Sequence, residues 1–118
     1  MRNLTVGEYI AQIVHIKRDN DIAENKALNI VYMGMGEPLK NYDSVVRSIR
    51  LISDPEILNI SQRRITVSTV GVVEGIKRLT NEGLKVSLVL SLHAPNQHIR
   101  KKIIPYARKY PLEEILAA

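Results

Sequence analysis

This 118-residue chain predicts an α/β fold of parallel strand–helix units, and three observations carry that expectation. Apolar spacing switches repeatedly between the helical and the strand period. The candidate strands are almost wholly apolar, as strands are when both of their faces are covered. The connections are short, and strand–helix alternation with short connections implies parallel strands joined by right-handed crossovers.

The first helix starts at Thr5-Val6-Gly7-Glu8, a capping box in which a Thr side chain accepts from the backbone three residues on while Glu reaches back. Val6, Ile10, Ile13 and Val14 follow at helical spacing to about Lys17. A polar connection through Asp19-Asn20-Asp21 and Glu24-Asn25-Lys26 leads to a strand over Leu28–Met33 and a glycine turn. A second helix fits Tyr42 to Ser53, with Tyr42, Val45, Val46, Ile49 and Ile52 on one face and Asn41 or Asp43 as its cap. Asp54-Pro55 stops it. A strand over Arg64–Ser68 precedes a helix near Val73–Glu82, whose buried face is Val73, Ile76, Leu79 and the stem of Lys77, with Gly83 as C-cap. A strand over Lys85–Ser91 follows, and then Asn96 caps a short helix through Lys102. Pro105 and Pro111 break the chain before a last helical segment, Leu112–Ala118.

The order α-β-α-β-α-β-α begins with a helix and ends inside one, which suits a piece of a longer barrel. A Rossmann-like open sheet is the alternative. The whole chain, 1–118, reads as a single unit with no linker and no low-complexity segment.

Each strand ends in polar side chains, where α/β proteins assemble their sites. Gly34-Met35-Gly36-Glu37-Pro38 presents one carboxylate on a turn where glycine lets carbonyls approach a ligand closely. It is not a dinucleotide fingerprint, because the third glycine would fall on Leu39, and no Gly-Lys-Ser/Thr follows to make a P-loop. A cation such as an ammonium group suits Glu37, and a plain strand-to-helix turn with an exposed Glu fits the same residues. Ser68 and Thr69 offer hydroxyls to a carboxylate, a ribose or the loop's own backbone, and Ser91-Leu92-His93-Ala94-Pro95 has the same two readings. No triad is legible, since the serines lack a GxSxG elbow, and His15, His93 and His98 lack metal-ligand spacing.

The formal charge of +5 favours an acidic partner, and Arg100, Lys101, Lys102, Arg108 and Lys109 gather much of it, with His98 nearby. A solvated helix face explains the same cluster. The aromatic residues are all Tyr, so no stacking platform for single strands is evident. A hydrophobic content of 45% argues against disorder. No apolar run approaches the roughly 20 residues of a membrane span, and no leader pattern is present, so a soluble, cytoplasmic protein is expected. The absence of cysteine excludes disulfides, thiolate nucleophiles and Cys-held metal centres within these residues.

Read in order, Met33-Gly34-Met35-Gly36-Glu37-Pro38-Leu39, Asn41-Tyr42, Arg63 through Val72, Ser91 through Asn96, and Arg108-Lys109-Tyr110-Pro111-Leu112-Glu113-Glu114 closely resemble the RlmN/Cfr family of radical S-adenosylmethionine RNA methyltransferases. The resemblance covers essentially the whole chain. It implies a partial (β/α) TIM-type barrel, of which these residues are the middle units, and a parent enzyme that methylates adenine in large-subunit ribosomal RNA and, for some members, tRNA. It further implies that Gly36 and Glu37 contact the methionyl ammonium of S-adenosylmethionine. Ser68 would then reach its carboxylate or ribose region, and Ser91, Leu92 and His93 would line the adenosyl side. The basic residues from Arg100 to Lys109 would face RNA. The family's Cys-x-x-x-Cys-x-x-Cys loop for a 4Fe-4S cluster is expected upstream of Arg2, and its catalytic cysteines outside these residues. On that reading the isolated chain holds no catalytic and no metal-ligating residue, binds cofactor weakly and does not turn over. The alternative is a non-catalytic S-adenosylmethionine- or RNA-binding remnant. One departure is Ala107, where the family usually carries Asn, so any contact from that side chain is lost or moved. A three-stranded piece of barrel is also expected to self-associate through its open edges.

Overall fold

A computed structural model describes residues 2–118. Helix α1 (Val6–Asp19) is followed by β1 (Ile30–Tyr32), α2 (Tyr42–Ser53), β2 (Ile65–Thr69), α3 (Val73–Asn81), β3 (Ser87–Leu90), α4 (Gln97–Ile103) and α5 (Leu112–Ala117). Short 3-10 turns at Pro38–Lys40, Gln62–Arg64 and Pro105–Arg108 join them. The strands form a parallel sheet in the order β1-β2-β3, with Ile30 opposite Ile65 and Thr66 opposite Ser87. This sequential order fits a barrel segment and equally one half of a doubly wound sheet, whose reversal falls at the switch point between halves.

Local chemistry accounts for the helix ends. The capping box of α1 is complete: the Glu8 amide donates to the Thr5 hydroxyl at 3.3 Å and the Thr5 amide to the Glu8 carboxylate at 2.8 Å. The Arg2 guanidinium pairs with the same carboxylate and, with the Thr5 amide, holds it at a pKa of about 2. Gly83 follows α3 at φ +70°, the left-handed conformation that closes a helix cheaply only with glycine. The Asn96 side chain accepts from the Ile99 amide at 3.0 Å and caps α4. At α2 the expectation of a side-chain cap fails. Asn41 does occupy the N-cap position, but its amide group donates to the Leu4 carbonyl (2.7 Å) and the Tyr9 hydroxyl (3.1 Å), tying α1 to the start of α2.

The core gathers Ile13 of α1, Tyr32 of β1, Val45, Val46, Ile49 and Ile52 of α2, Ile65 and Val67 of β2, and Ile76 and Leu79 of α3. The predicted face of α2 is therefore the buried one. Two expectations need correction. Lys77 is exposed; the place given to its stem is taken by Gly75, which lies against Leu39. The strands are covered on one face only. Along β2, buried Ile65, Val67 and Thr69 alternate with half-buried Thr66 and Ser68, and β3 is exposed along most of its length. Near-continuous apolarity marks strands that need two covers, and among the described residues the helices supply one of them. β1 and β3 are also shorter than expected, because pairing, not hydrophobicity, ends a ladder, whereas β2 keeps its five residues one position later than expected.

Candidate functional site

The three strand-terminal loops converge at one end of the sheet. After β1 the chain makes a tight turn in which the Gly36 amide donates to the Gly34 carbonyl at 2.9 Å. Met35 is thrown outward, 89% exposed, and Glu37 is turned back toward β2. Its carboxylate is held at three points: Oε1 accepts from the Leu39 amide (3.1 Å) and the Thr69 hydroxyl (2.7 Å), and Oε2 accepts from the Val70 amide (2.8 Å). Glu37 is half-buried, and its carboxylate is preoriented by these three bonds.

Ser68, the last open-face residue of β2 before this loop, shares a 2.8 Å hydrogen bond with Ser91, just past β3. The Ser91 amide extends the ladder, donating to the Thr69 carbonyl at 2.8 Å. Leu92 and His93 follow on the exposed surface, and His93 sits at φ +59°. That left-handed value is uncommon for a residue with a Cβ. Gly71, at φ +105°, lets the β2 loop pass Ile115 of α5 so closely that a Cβ there would clash with the Ile115 side chain.

The structure thus brings Gly36, Glu37, Ser68, Ser91, Leu92 and His93 to the same end of the sheet. The basic residues divide. Lys101, Lys102, Arg108 and Lys109 are exposed, but Arg100 is fully buried and donates to the carbonyls of Val70 and Leu92, which withdraws it from any surface contact with RNA. A guanidinium with neighbouring carbonyls at the right fork spacing is more stable inside than a run of basic letters suggests. Two features were not legible in the sequence. The Thr69 hydroxyl donates to the Glu37 carboxylate, and Lys40 lies 5.6 Å and 5.8 Å from the rings of Tyr106 and Tyr110. Ala107 is buried, and its carbonyl accepts from Gln97 at 2.6 Å.

Among the described residues no cluster of His, Cys, Asp or Glu is arranged to hold a metal ion, and no helix is long and apolar enough to cross a membrane.

No family model matches the chain. Full-length relatives do. The probable dual-specificity RNA methyltransferase RlmN 2 of Protochlamydia amoebophila is 73% identical over 115 residues, which are 98% of this chain and 32% of that protein. The dual-specificity RNA methyltransferase RlmN of Aliarcobacter butzleri is 55% identical over all 118 residues, 33% of its own length. The crystal structure of a radical SAM methyltransferase from Sphaerobacter thermophilus superposes with a TM-score of 0.92 at 46% identity, covering 99% of this chain and 34% of that one. The chain matches a central segment of RlmN/Cfr-family proteins. It spans about a third of the length of the relatives it matches. The superposition also identifies the sheet as barrel units of the radical-SAM type.

Proposed function

We propose that these residues are the cofactor-cradling centre of a cytoplasmic radical S-adenosylmethionine enzyme that methylates adenine C2 in ribosomal RNA. The observation that carries this reading is the carboxylate of Glu37, fixed by Thr69 and Val70 beside the Ser68–Ser91 hydroxyl pair at the ends of three parallel strands. A preoriented anion attracts the α-ammonium of the methionyl group, and its fixed geometry lowers the ordering cost of binding. The paired serines can turn a hydroxyl toward the carboxylate or ribose of the same molecule. Gly36 leaves room for close backbone approach, and Leu92 with His93 offers an apolar and a polar edge to the adenine. Bound S-adenosylmethionine supplies the methyl group and, in the radical-SAM family, the precursor of the hydrogen-abstracting species.

The residues present do not fit the iron–sulfur cluster, because the chain contains no cysteine to supply a thiolate. No radical step follows from these residues alone, and the segment by itself binds cofactor without consuming it. Exposed Lys101, Lys102, Arg108 and Lys109 would meet the RNA backbone in the longer enzyme.

Titration of S-adenosylhomocysteine into the ¹⁵N-labelled chain tests the cradle. Amide shifts centred on Gly36, Glu37, Ser68, Ser91 and His93 are expected. Their dissociation constant should be on the order of 1 mM, since a few charge-assisted hydrogen bonds remain after ordering costs. Glu37→Gln should abolish the response. An unresponsive wild-type chain, or shifts confined to other loops, would overturn the reading. Release of 5′-deoxyadenosine after incubation with iron, sulfide and reductant would overturn the claim that the segment alone is inactive.

A further inference from the structure

Arg100 stands in a basic run on a surface helix, yet it is 0% exposed. Among the described residues no carboxylate lies within ion-pair distance of it. Burying a guanidinium without compensation is costly, so its surroundings must justify the position. They consist of three acceptors on three different segments. Nε donates to the Leu92 carbonyl of the β3 loop at 3.2 Å, one terminal nitrogen to the Val70 carbonyl of the β2 loop at 3.1 Å, and the other to Gln97 Oε1 at 3.3 Å. Gln97 is fixed in turn, accepting from the Leu112 amide at 3.0 Å and donating to the Ala107 carbonyl at 2.6 Å.

Val70 is the joint of this arrangement. Its amide is held by the Glu37 carboxylate and its carbonyl by the Arg100 guanidinium, so an anion and a buried cation face each other through one residue. We propose that Arg100 is the positioning residue of the cofactor cradle. It sets the separation of the β2 loop, which carries Ser68, from the β3 loop, which carries Ser91 to His93, and it balances the charge of Glu37 before a ligand arrives. This role rests on the cofactor reading of the site. The fork geometry is what the task requires. A lysine keeps the charge but offers a single point, which cannot span carbonyls on two loops and a carboxamide together.

A residue that merely stabilises the fold would change how much protein is folded, not how well the folded protein binds. Two variants, Arg100→Lys and Arg100→Gln, are therefore compared with wild type by amide hydrogen exchange and by S-adenosylhomocysteine titration in folded samples. In Arg100→Lys, exchange at Ile49 and Val67 should stay near wild type, while Val70 and Ala94 exchange faster. Affinity should fall by about tenfold or more, the loss expected of a charge-assisted hydrogen bond. Unchanged loop exchange, or unchanged affinity in Arg100→Lys while Glu37→Gln abolishes binding, would overturn the proposal alone. A wild-type chain without any response would overturn the cofactor reading and this role with it. Where both variants fail to fold, the wild-type Nε–H of Arg100 decides. A slowly exchanging signal that shifts with added S-adenosylhomocysteine supports the proposal, and a signal lost to water exchange overturns it.

Discussion

Glu37 and Thr69 lie 32 positions apart, and the threonine hydroxyl donates to the carboxylate across 2.7 Å. The same oxygen accepts from the amides of Gly71 at 3.1 Å and Val72 at 3.4 Å. One buried hydroxyl therefore organises the passage from β2 to α3 and fastens the turn after β1 to it. The negative charge at the strand ends is thereby set in place by the fold, ahead of any ligand.

Thr69→Val keeps the shape and removes both functions of the hydroxyl. Thr69 is only 2% exposed, so water does not readily replace it. A loss of about 1.5–3 kcal/mol is expected, the range for a hydrogen bond to a charged group with buried amides left short. Thr69→Ser should recover most of it. Urea unfolding followed by circular dichroism measures the difference; equal midpoints for wild type and Thr69→Val would show that the hydroxyl is dispensable.

Gly75→Ala sets two effects against each other. Alanine in a helix interior gains about 1 kcal/mol over glycine. The added Cβ, however, would stand 2.7 Å from Leu39 Cβ, an atom close to the backbone that cannot swing aside. Overpacking of this kind costs about 1–3 kcal/mol and should win, giving a net loss. Gly75→Ala should also loosen the turn carrying Glu37, because Leu39 directly follows Pro38. Thermal unfolding of the variant checks the sign, and a raised midpoint would mean that Leu39 moves freely.

Helix positions, caps and the strand order were legible because they depend on local spacing and on short crossovers. The capping box at Thr5 and Glu8 and the glycine stop at Gly83 follow from the chemistry of single residues, and the apolar face of α2 follows from periodicity. What escaped reading depends on distant partners. That Asn41 would bond Leu4 and Tyr9, and leave α2 uncapped by its side chain, requires knowing where α1 packs. Arg100 sits among basic letters that read as surface, and only the meeting of the Val70 and Leu92 carbonyls draws it inside. The site end of the sheet was legible as three polar strand termini, whereas the internal bonds of Glu37 were not.

Alkaline pH should destabilise the chain through Tyr32. Burial is the main cause that pushes its phenol up to about 12, against the smaller opposing effect of the 2.6 Å hydrogen bond it shares with Ser48. The unfolded chain ionises this group near the ordinary value of about 10. Between those two values the unfolded state releases a proton that the folded state keeps, so stability falls as pH rises. Below about pH 10 the group contributes no slope, and by pH 12 the loss from Tyr32 approaches about 2–3 kcal/mol. Tyr32→Phe should cost about 1 kcal/mol at neutral pH and visibly flatten the alkaline limb. An unchanged limb would assign the loss elsewhere, with Tyr42, raised to about 12 by burial and by its bond to Glu82, as the next group to replace.

The open sheet predicts self-association of the 118-residue chain produced by itself. β1 and β3 are the outer strands, and each presents a row of backbone groups without a neighbouring strand. Val31, at 50% exposure, and Val89, at 48%, add apolar surface on the face that the helices leave open. Edges of this kind template pairing with another copy, and an inward-pointing charge is the usual defence against it. Light scattering across a concentration series should therefore show mass rising above that of the monomer, and Val89→Lys should suppress the rise without lowering the unfolding midpoint. The substitution separates two sources of association. If Val89→Lys stays as associated as wild type, the contact is made elsewhere, and the β1 edge or the exposed Met33 and Met35 become the candidates. A wild-type mass that never leaves the monomer value would mean that the short strands, three residues in β1 and four in β3, are too brief to hold a partner.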